Sequence, residues 1–213
     1  MRVIHVIGSP RGARSRSRAV AAHFLDYLTG AEVTELDLWS TALPDLDGAI
    51  LESRYRLING QPVEPGFEAQ WAELRARVDH LLSFDLWLFS TPMWNLGVPY
   101  RLKHYLDLVI QPTMAFTNDS SGGIDAHGTG KIAVLIGASA LDIRAETPLA
   151  ALDFQLAHVA QCLHVYFGLS EVHEIRAAPT FGDEQIVEQA MSAARIHAQA
   201  LAISLAARGG GRG

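Results

Sequence analysis

The run Leu86-Trp87-Leu88-Phe89 is apolar on both faces of any strand it can form, and this constrains the fold more than any other feature. A strand with one face in water alternates, whereas continuous apolar character marks a strand covered on both sides, as in a parallel sheet between helices. Arg2 to Ile7 and Lys131 to Ile136 carry the same signature, Glu32 to Leu38 alternates, and Val172 to Ala177 supplies a last strand. Helical spacing fills the intervals: Ser15 to Gly30, Ile50 to Ile58, Phe67 to Leu82, Pro99 to Pro112, Leu149 to Phe167 and Glu184 to Ala207. Strands alternating with helices predict an α/β fold, a parallel sheet covered on both faces.

No repeat and no second boundary interrupts the pattern, so residues 1–208 are read as one domain and 209–213 as a flexible tail. A soluble chain of this size buries roughly 70% of its unfolded surface, enough for one core without staples. The single Cys, Cys162, excludes an internal disulfide and a multi-cysteine metal site, which fits a reducing cytoplasmic setting. The apolar stretch after Met1 breaks at Gly8, too short for a signal or membrane segment, and no later run is long enough to span a bilayer.

The net charge of −6 conceals an asymmetry. Arg2, Arg11, Arg14, Arg16 and Arg18 all precede the first acidic residue, Asp26. One compact basic patch in an acidic chain is poorly suited to long nucleic acid and well suited to a small anion.

In a doubly wound sheet the ligand sits beyond the C-terminal ends of the strands, where the winding reverses. The first such loop, Gly8 to Arg18, lacks both the Walker A ending and G-x-G-x-x-G. It offers the N-terminus of a helix, the hydroxyls of Ser9, Ser15 and Ser17, and the neighbouring Arg11 and Arg16, a set that suits a phosphate monoester. The same serines equally suit helix capping, with the arginines as a solvated face. The second loop, Thr91 to Pro99, presents Met93, Trp94 and Leu96 beside backbone N–H groups, with Asn95 and Gly97 able to take the positive φ of a tight turn. It fits a flat apolar ring with polar edges, or simple packing.

The segments S-P-R-G-A-R-S-R-S at 9–17, P-M-W-N-L-G-V-P at 92–99 and L-K-H-Y-L-D at 102–107 strongly resemble the FMN-dependent NADH azoreductases and quinone reductases. The likeness extends over nearly the whole chain. It implies a flavodoxin-like, doubly wound five-stranded parallel sheet of order 2-1-3-4-5, and a cytoplasmic homodimer with the flavin at the interface. It further implies ping-pong transfer from NADH or NADPH through FMN to quinones and azo compounds, with the flavin rather than a side chain carrying the chemistry.

Residue by residue, the resemblance assigns Ser9, Arg11, Ser15, Arg16 and Ser17 to the FMN phosphate, and Pro92, Met93, Trp94, Asn95 and Leu96 to the isoalloxazine. The third loop, Gly137, Ala138, Ser139 and Ala140, stands where the family often has S/T-R-G-G, and the missing Arg and Gly pair alters the pyrimidine side. Residues 111–130 lack a period and are read as a lid, and the resemblance implies that Phe116 stands over the substrate pocket.

Nine His are scattered without metal-ligand spacing, so no metal is expected; His104, Tyr105 and His127 are minor candidates near substrate, and Cys162 a small core residue. A flavodoxin-type electron carrier and a redox-silent flavin-binding protein are the competing classes, and the lid and dimer features disfavour the carrier.

Overall fold

The computed structural model describes residues 1–118 and 123–209. In chain order the elements are β1 (Arg2–Ile7), α1 (Arg16–Tyr27), β2 (Glu32–Asp37), α2 (Gly48–Ile58), α3 (Glu68–Leu82), β3 (Leu86–Pro92) and α4 (Tyr100–Val109). They continue as β4 (Phe116–Asn118), β5 (Ile124–Ala126), β6 (Ile132–Ala138), α5 (Leu156–Phe167), β7 (Glu171–Ala177) and α6 (Glu184–Gly209). Five strands form one sheet in the order β2-β1-β3-β6-β7, every neighbour pair parallel. Numbered among themselves these strands run 2-1-3-4-5, the doubly wound order the resemblance implies.

Alternation along the strands divides the core in two. Ile4 and Val6 of β1 and Trp87 and Phe89 of β3 face α3, α4 and α5, meeting Trp71, Leu74, Leu102, Leu106 and Leu163. Val3, Leu86, Leu88, Val134 and Ile136 face α1 and α6, meeting Val20, Phe24, Met191 and Ala198. The Trp87 ring stands edge-on to Phe167 at 5.0 Å. Both faces of the central strands are sealed, which is why their sequence carries no polar alternation.

Side-chain acceptors mark several of the helix starts. Ser15 accepts from the Arg18 N–H and opens α1, and Asp47 accepts from Ala49 and Ile50 and opens α2. Asp153 accepts from Gln155 and Leu156, so α5 starts there, seven residues later than apolar spacing predicts, after a 3₁₀ turn at Ala150–Leu152. Gly168, at φ 69°, closes that helix. At the C-terminus α6 runs through Gly209, the first residue of the expected tail, and 210–213 lie outside the described residues.

The expectation of a structureless lid at 111–130 is corrected. Its residues 119–122 lie outside the described residues, and the rest contains the antiparallel pair β4 and β5 docked on the core. Met114, Ala115 and Phe116 are buried, and the His127 N–H donates to Ala115 O (2.9 Å). Gln111, also buried, donates through Nε2 to Asp107 O (2.6 Å). Phe116 is 6% exposed with its ring 5.2 Å from Tyr166, so it is a core residue here rather than a ring standing over a pocket. Apolar side chains spaced without period still bury when a short hairpin carries them, and periodicity does not detect a three-residue strand.

Candidate functional site

The winding reverses between β1 and β3, and the loops that follow these two strands meet there. The ladder continues past both strands: Gly8 N–H donates to Ser90 O (2.9 Å). A Cβ at Gly8 would lie 3.2 Å from Thr91 Oγ1, so the two loops start in close contact.

In the first loop a 3₁₀ turn at Gly12–Arg14 leads into α1. Ser9, Ser15 and Ser17 are all buried although the loop itself is on the surface. Ser15 Oγ lies 3.2 Å from Ser17 Oγ and accepts from Arg18 N–H, and Ser9 Oγ accepts weakly from Arg11 N–H (3.4 Å). The capping role is therefore real for Ser15, yet each hydroxyl keeps capacity for another bond. Among the described residues the N–H groups of Arg16 and Ser17 have no partner, as expected in a first helical turn. Together these donors make the kind of helix N-terminus that is able to hold an anion.

The basic patch is smaller than the sequence suggests. Arg2 lies at the opposite end of β1, with its guanidinium on Ser83 O (2.9 Å) and the Phe84 ring (5.0 Å). Arg18 is paired with Glu35 at 3.0 Å. Arg11, Arg14 and Arg16 remain exposed around this helix N-terminus.

The second loop is a two-residue turn. Trp94 N–H donates to Gly97 O (2.9 Å), and Gly97 N–H donates to Trp94 O (3.0 Å). Asn95 (φ 49°) and Leu96 (φ 68°) occupy the centre, the hairpin geometry with both central residues at positive φ. The expectation for Asn95 holds; Leu96, not Gly97, takes the second position. A leucine there costs about 1–2 kcal/mol, strain of the kind that persists where the surroundings over-determine it. The turn leaves the N–H groups of Asn95 and Leu96 without partners among the described residues, just beyond the C-terminal end of β3. Met93 N–H is bound to Ala138 O (2.7 Å), so Pro92 and Met93 belong to the end of the ladder, and Trp94 projects with 39% of its surface exposed.

The third loop begins later than expected. Gly137 and Ala138 lie inside β6, between Thr91 and Pro92 of β3 and Arg176 and Ala177 of β7. Gly137 is required by a close approach: a Cβ would sit 2.8 Å from Gln155 Oε1. Only Ser139 and Ala140 extend beyond the sheet, and the Ser139 hydroxyl donates to Leu141 O (2.6 Å). Gln155 is fully buried and donates through Nε2 to Thr91 O (3.0 Å), tying the start of α5 to the second loop.

Sequence reasoning missed Gln155, and missed Trp39 and Arg101, which join the site from the β2–α2 connection and from α4. None has a local signature, because each acts on a residue far away in the chain. The minor candidates are structural: His104 Nε2 lies 2.8 Å from Pro44 O, and His127 Nδ1 2.6 Å from Met114 O. Burial holds the Tyr105 phenol protonated far above its usual range. Cys162 lies 3.6 Å from His158 Nε2, and burial raises its thiol pKa, which leaves it protonated rather than a reactive thiolate. Among the described residues no three His, Cys, Asp or Glu side chains converge as a metal site would need. No described helix is long and apolar enough to cross a membrane.

A family model described as having a flavodoxin-like fold matches residues 1–201. An "FMN-dependent NADH:quinone oxidoreductase 3" of Pseudomonas fluorescens is 36% identical over 213 residues, covering 97% of this chain and 98% of the relative. An "FMN-dependent NADH:quinone oxidoreductase" of Desulfotalea psychrophila is 32% identical, covering 96% of this chain and 97% of its own length. Among solved structures, an azoreductase of Bacillus anthracis superposes with a TM-score of 0.84 at 20% identity, over 96% of this chain and 99% of that one. At that identity the superposition shows the fold alone. The family model and the two relatives decide the assignment: the chain belongs to the flavodoxin-like family that includes the FMN-dependent NADH:quinone oxidoreductases.

Proposed function

We propose that this protein is an FMN-dependent oxidoreductase that transfers reducing equivalents from NADH or NADPH to quinones and azo compounds. The observation that carries the reading is the pairing of two open N–H sets at one switch point, Arg16 and Ser17 in the first loop and Asn95 and Leu96 in the second. A helix N-terminus ringed by buried serine hydroxyls and exposed arginines fits a phosphate monoester, and a turn with outward N–H groups beside Met93 and Trp94 fits a flat ring with polar edges. The residues present therefore fit FMN. The relatives' names specify FMN, NADH and quinone for those proteins, at 36% and 32% identity to this one.

When bound, FMN would supply the redox chemistry, a two-electron relay between nicotinamide and acceptor. The protein's contribution is placement and charge. Ser9, Ser15, Ser17 and the first-turn N–H groups hold the phosphate, with Arg11 and Arg16 lending positive potential. Asn95 and Leu96 direct N–H groups at the ring edge, where donors stabilise negative charge on reduction. Ser139 and Ala140, just beyond the end of β6, would remain for the pyrimidine side of the ring. The purified protein is expected to be yellow and to oxidise NADH in the presence of a quinone. A colourless protein that neither takes up FMN nor turns over NADH with a quinone overturns this reading.

The phosphate assignment has its own test. Replacing Ser15 and Ser17 by alanine removes two donors to a charged group and is expected to weaken FMN about thirtyfold, about 2 kcal/mol. Loss of the Ser15 cap also lowers stability by about 1 kcal/mol, so riboflavin, which lacks the phosphate, is the control. Titration showing unchanged FMN affinity refutes the assignment.

We further propose a cytoplasmic homodimer with the flavin site at its interface. Leu141, Leu149, Phe154 and Phe181 are all exposed on the loops that surround the C-terminal edge of the sheet, Phe181 with 81% of its surface. Four large apolar side chains left in water on loops at one end of the sheet suit a contact with another protein surface. Light scattering on the eluting protein is expected to give twice the chain mass; a monomer at micromolar concentration rules the dimer out.

A further inference from the structure

Trp39 belongs to neither loop that the sequence singles out, yet it touches both. Its indole Nε1–H donates to Gly8 O (3.1 Å), the carbonyl that immediately precedes Ser9. Its ring packs on Trp94 at 5.7 Å and meets Tyr100 edge-on at 5.4 Å, and Trp94 and Tyr100 are themselves 6.4 Å apart. One side chain thus contacts the first carbonyl of the anion loop and the projecting aromatic of the ring loop.

The segment that carries Trp39 is held at several points. The Trp39 N–H donates to Asp37 Oδ1 (2.9 Å), and the Thr41 hydroxyl donates to Asp37 O (2.7 Å). Arg101 donates to Leu38 O through Nε (2.9 Å) and Nη2 (2.6 Å), and to Thr41 O through Nη2 (2.5 Å). Hydrogen bonds from a charged donor are the strong class, and these grip the carbonyls on both sides of Trp39. Arg101 and Tyr100 open α4 directly after the ring loop, so the contacts close into a frame. That frame runs from Gly8 through Trp39 to Trp94, along the ring loop to Arg101, and back to the Trp39 segment.

We propose that Trp39 is a positioning residue that fixes the spacing between the anion loop and the ring loop, so that a single flavin mononucleotide engages both at once. The proposal rests on the FMN reading above. A ligand spanning two seats gains from having them held at the right separation, because the ordering cost is met before it binds. A ligand that uses only the ring seat is indifferent to that separation. Trp39 therefore acts on discrimination between FMN and riboflavin, and does so without touching the phosphate.

The test is equilibrium titration of flavin-free protein with FMN and with riboflavin, following flavin and tryptophan fluorescence, for wild type, Trp39→Ala and Trp39→Phe. Trp39→Ala is expected to weaken FMN about tenfold and riboflavin less than about twofold, so the ratio of the two dissociation constants falls. Trp39→Phe keeps a ring against Trp94 but loses the bond to Gly8 O, and is expected to show a smaller fall in the same ratio. It also serves if the alanine variant does not fold. Wild type that binds FMN while both ligands weaken equally in the variants, or while neither changes, overturns the proposal alone. Wild type that takes up neither flavin overturns the FMN reading together with the proposal.

Discussion

Unfolding free energy is expected to fall by about 3 kcal/mol between pH 6.5 and pH 4 through one residue, His5. His5 lies in the middle of β1, 1% exposed, with Nε2 2.8 Å from the Ser90 hydroxyl. Burial lowers its pKa from 6.5 to about 4, and the positive charge of Arg18 adds to the effect. Nδ1 is 3.7 Å from Glu35, beyond hydrogen-bonding reach, and that carboxylate is already paired with Arg18, so its attraction for a protonated ring does not offset the cost of burial. The sign follows from the depressed value. In the unfolded chain the ring protonates as pH drops through 6.5, while the folded chain resists until about pH 4. The stability is complete above 6.5 and is lost across that window as pH falls. His5→Gln can keep a bond to Ser90 and does not titrate. Urea unfolding at steps from pH 7 to 4.5 is expected to show the wild type losing stability that the variant does not lose. A difference between the two that stays constant with pH refutes the assignment.

His5 also shows what sequence reading reaches and what it does not. The five strands, their doubly wound class and the two loops at the switch point are legible because they rest on local signals: apolar runs on both faces, glycine and proline at strand ends, serine before a helix. Residue roles that depend on a partner far along the chain are not. A histidine within an apolar strand has no visible state until Ser90 is placed beside it, 85 positions later. Trp39 and Arg101 sit in a connection and on a helix whose own sequence gives no reason to bring them together. In the ring loop Asn95 was legible and Leu96 was not, because glycine is the default residue at positive φ and Gly97 stood next to it. The basic patch is smaller than the count of arginines for a related reason: charge along the chain does not show that Arg2 lies at the far end of β1 or that Arg18 is paired with Glu35.

Gly128→Ala is expected to destabilise the protein by about 3 kcal/mol, the upper end of what overpacking a core costs. For a domain of this size that lowers Tm by roughly 6–12 °C. A Cβ at Gly128 would lie 2.6 Å from Phe167 O and 2.9 Å from Phe167 Cβ. Neither atom is the end of a flexible side chain. Phe167 is the last residue of α5, fully buried against Trp87, so relief requires moving the backbone of a helix end or undocking the segment that holds Gly128. The contact is two-sided, since a Cβ at Gly168 would meet Ala126 Cβ at 2.9 Å. Gly48→Ala is the control: nothing lies within 4 Å of its Cβ position, and it opens α2 at a position where alanine is favoured. Thermal unfolding that finds both variants within about 0.5 kcal/mol of wild type, where surface substitutions normally fall, would show that this segment is loosely held after all. A segment free to move over the site would tolerate one methyl group, whereas a segment packed backbone to backbone against the end of α5 does not. The size of the loss therefore separates a docked wall from a lid.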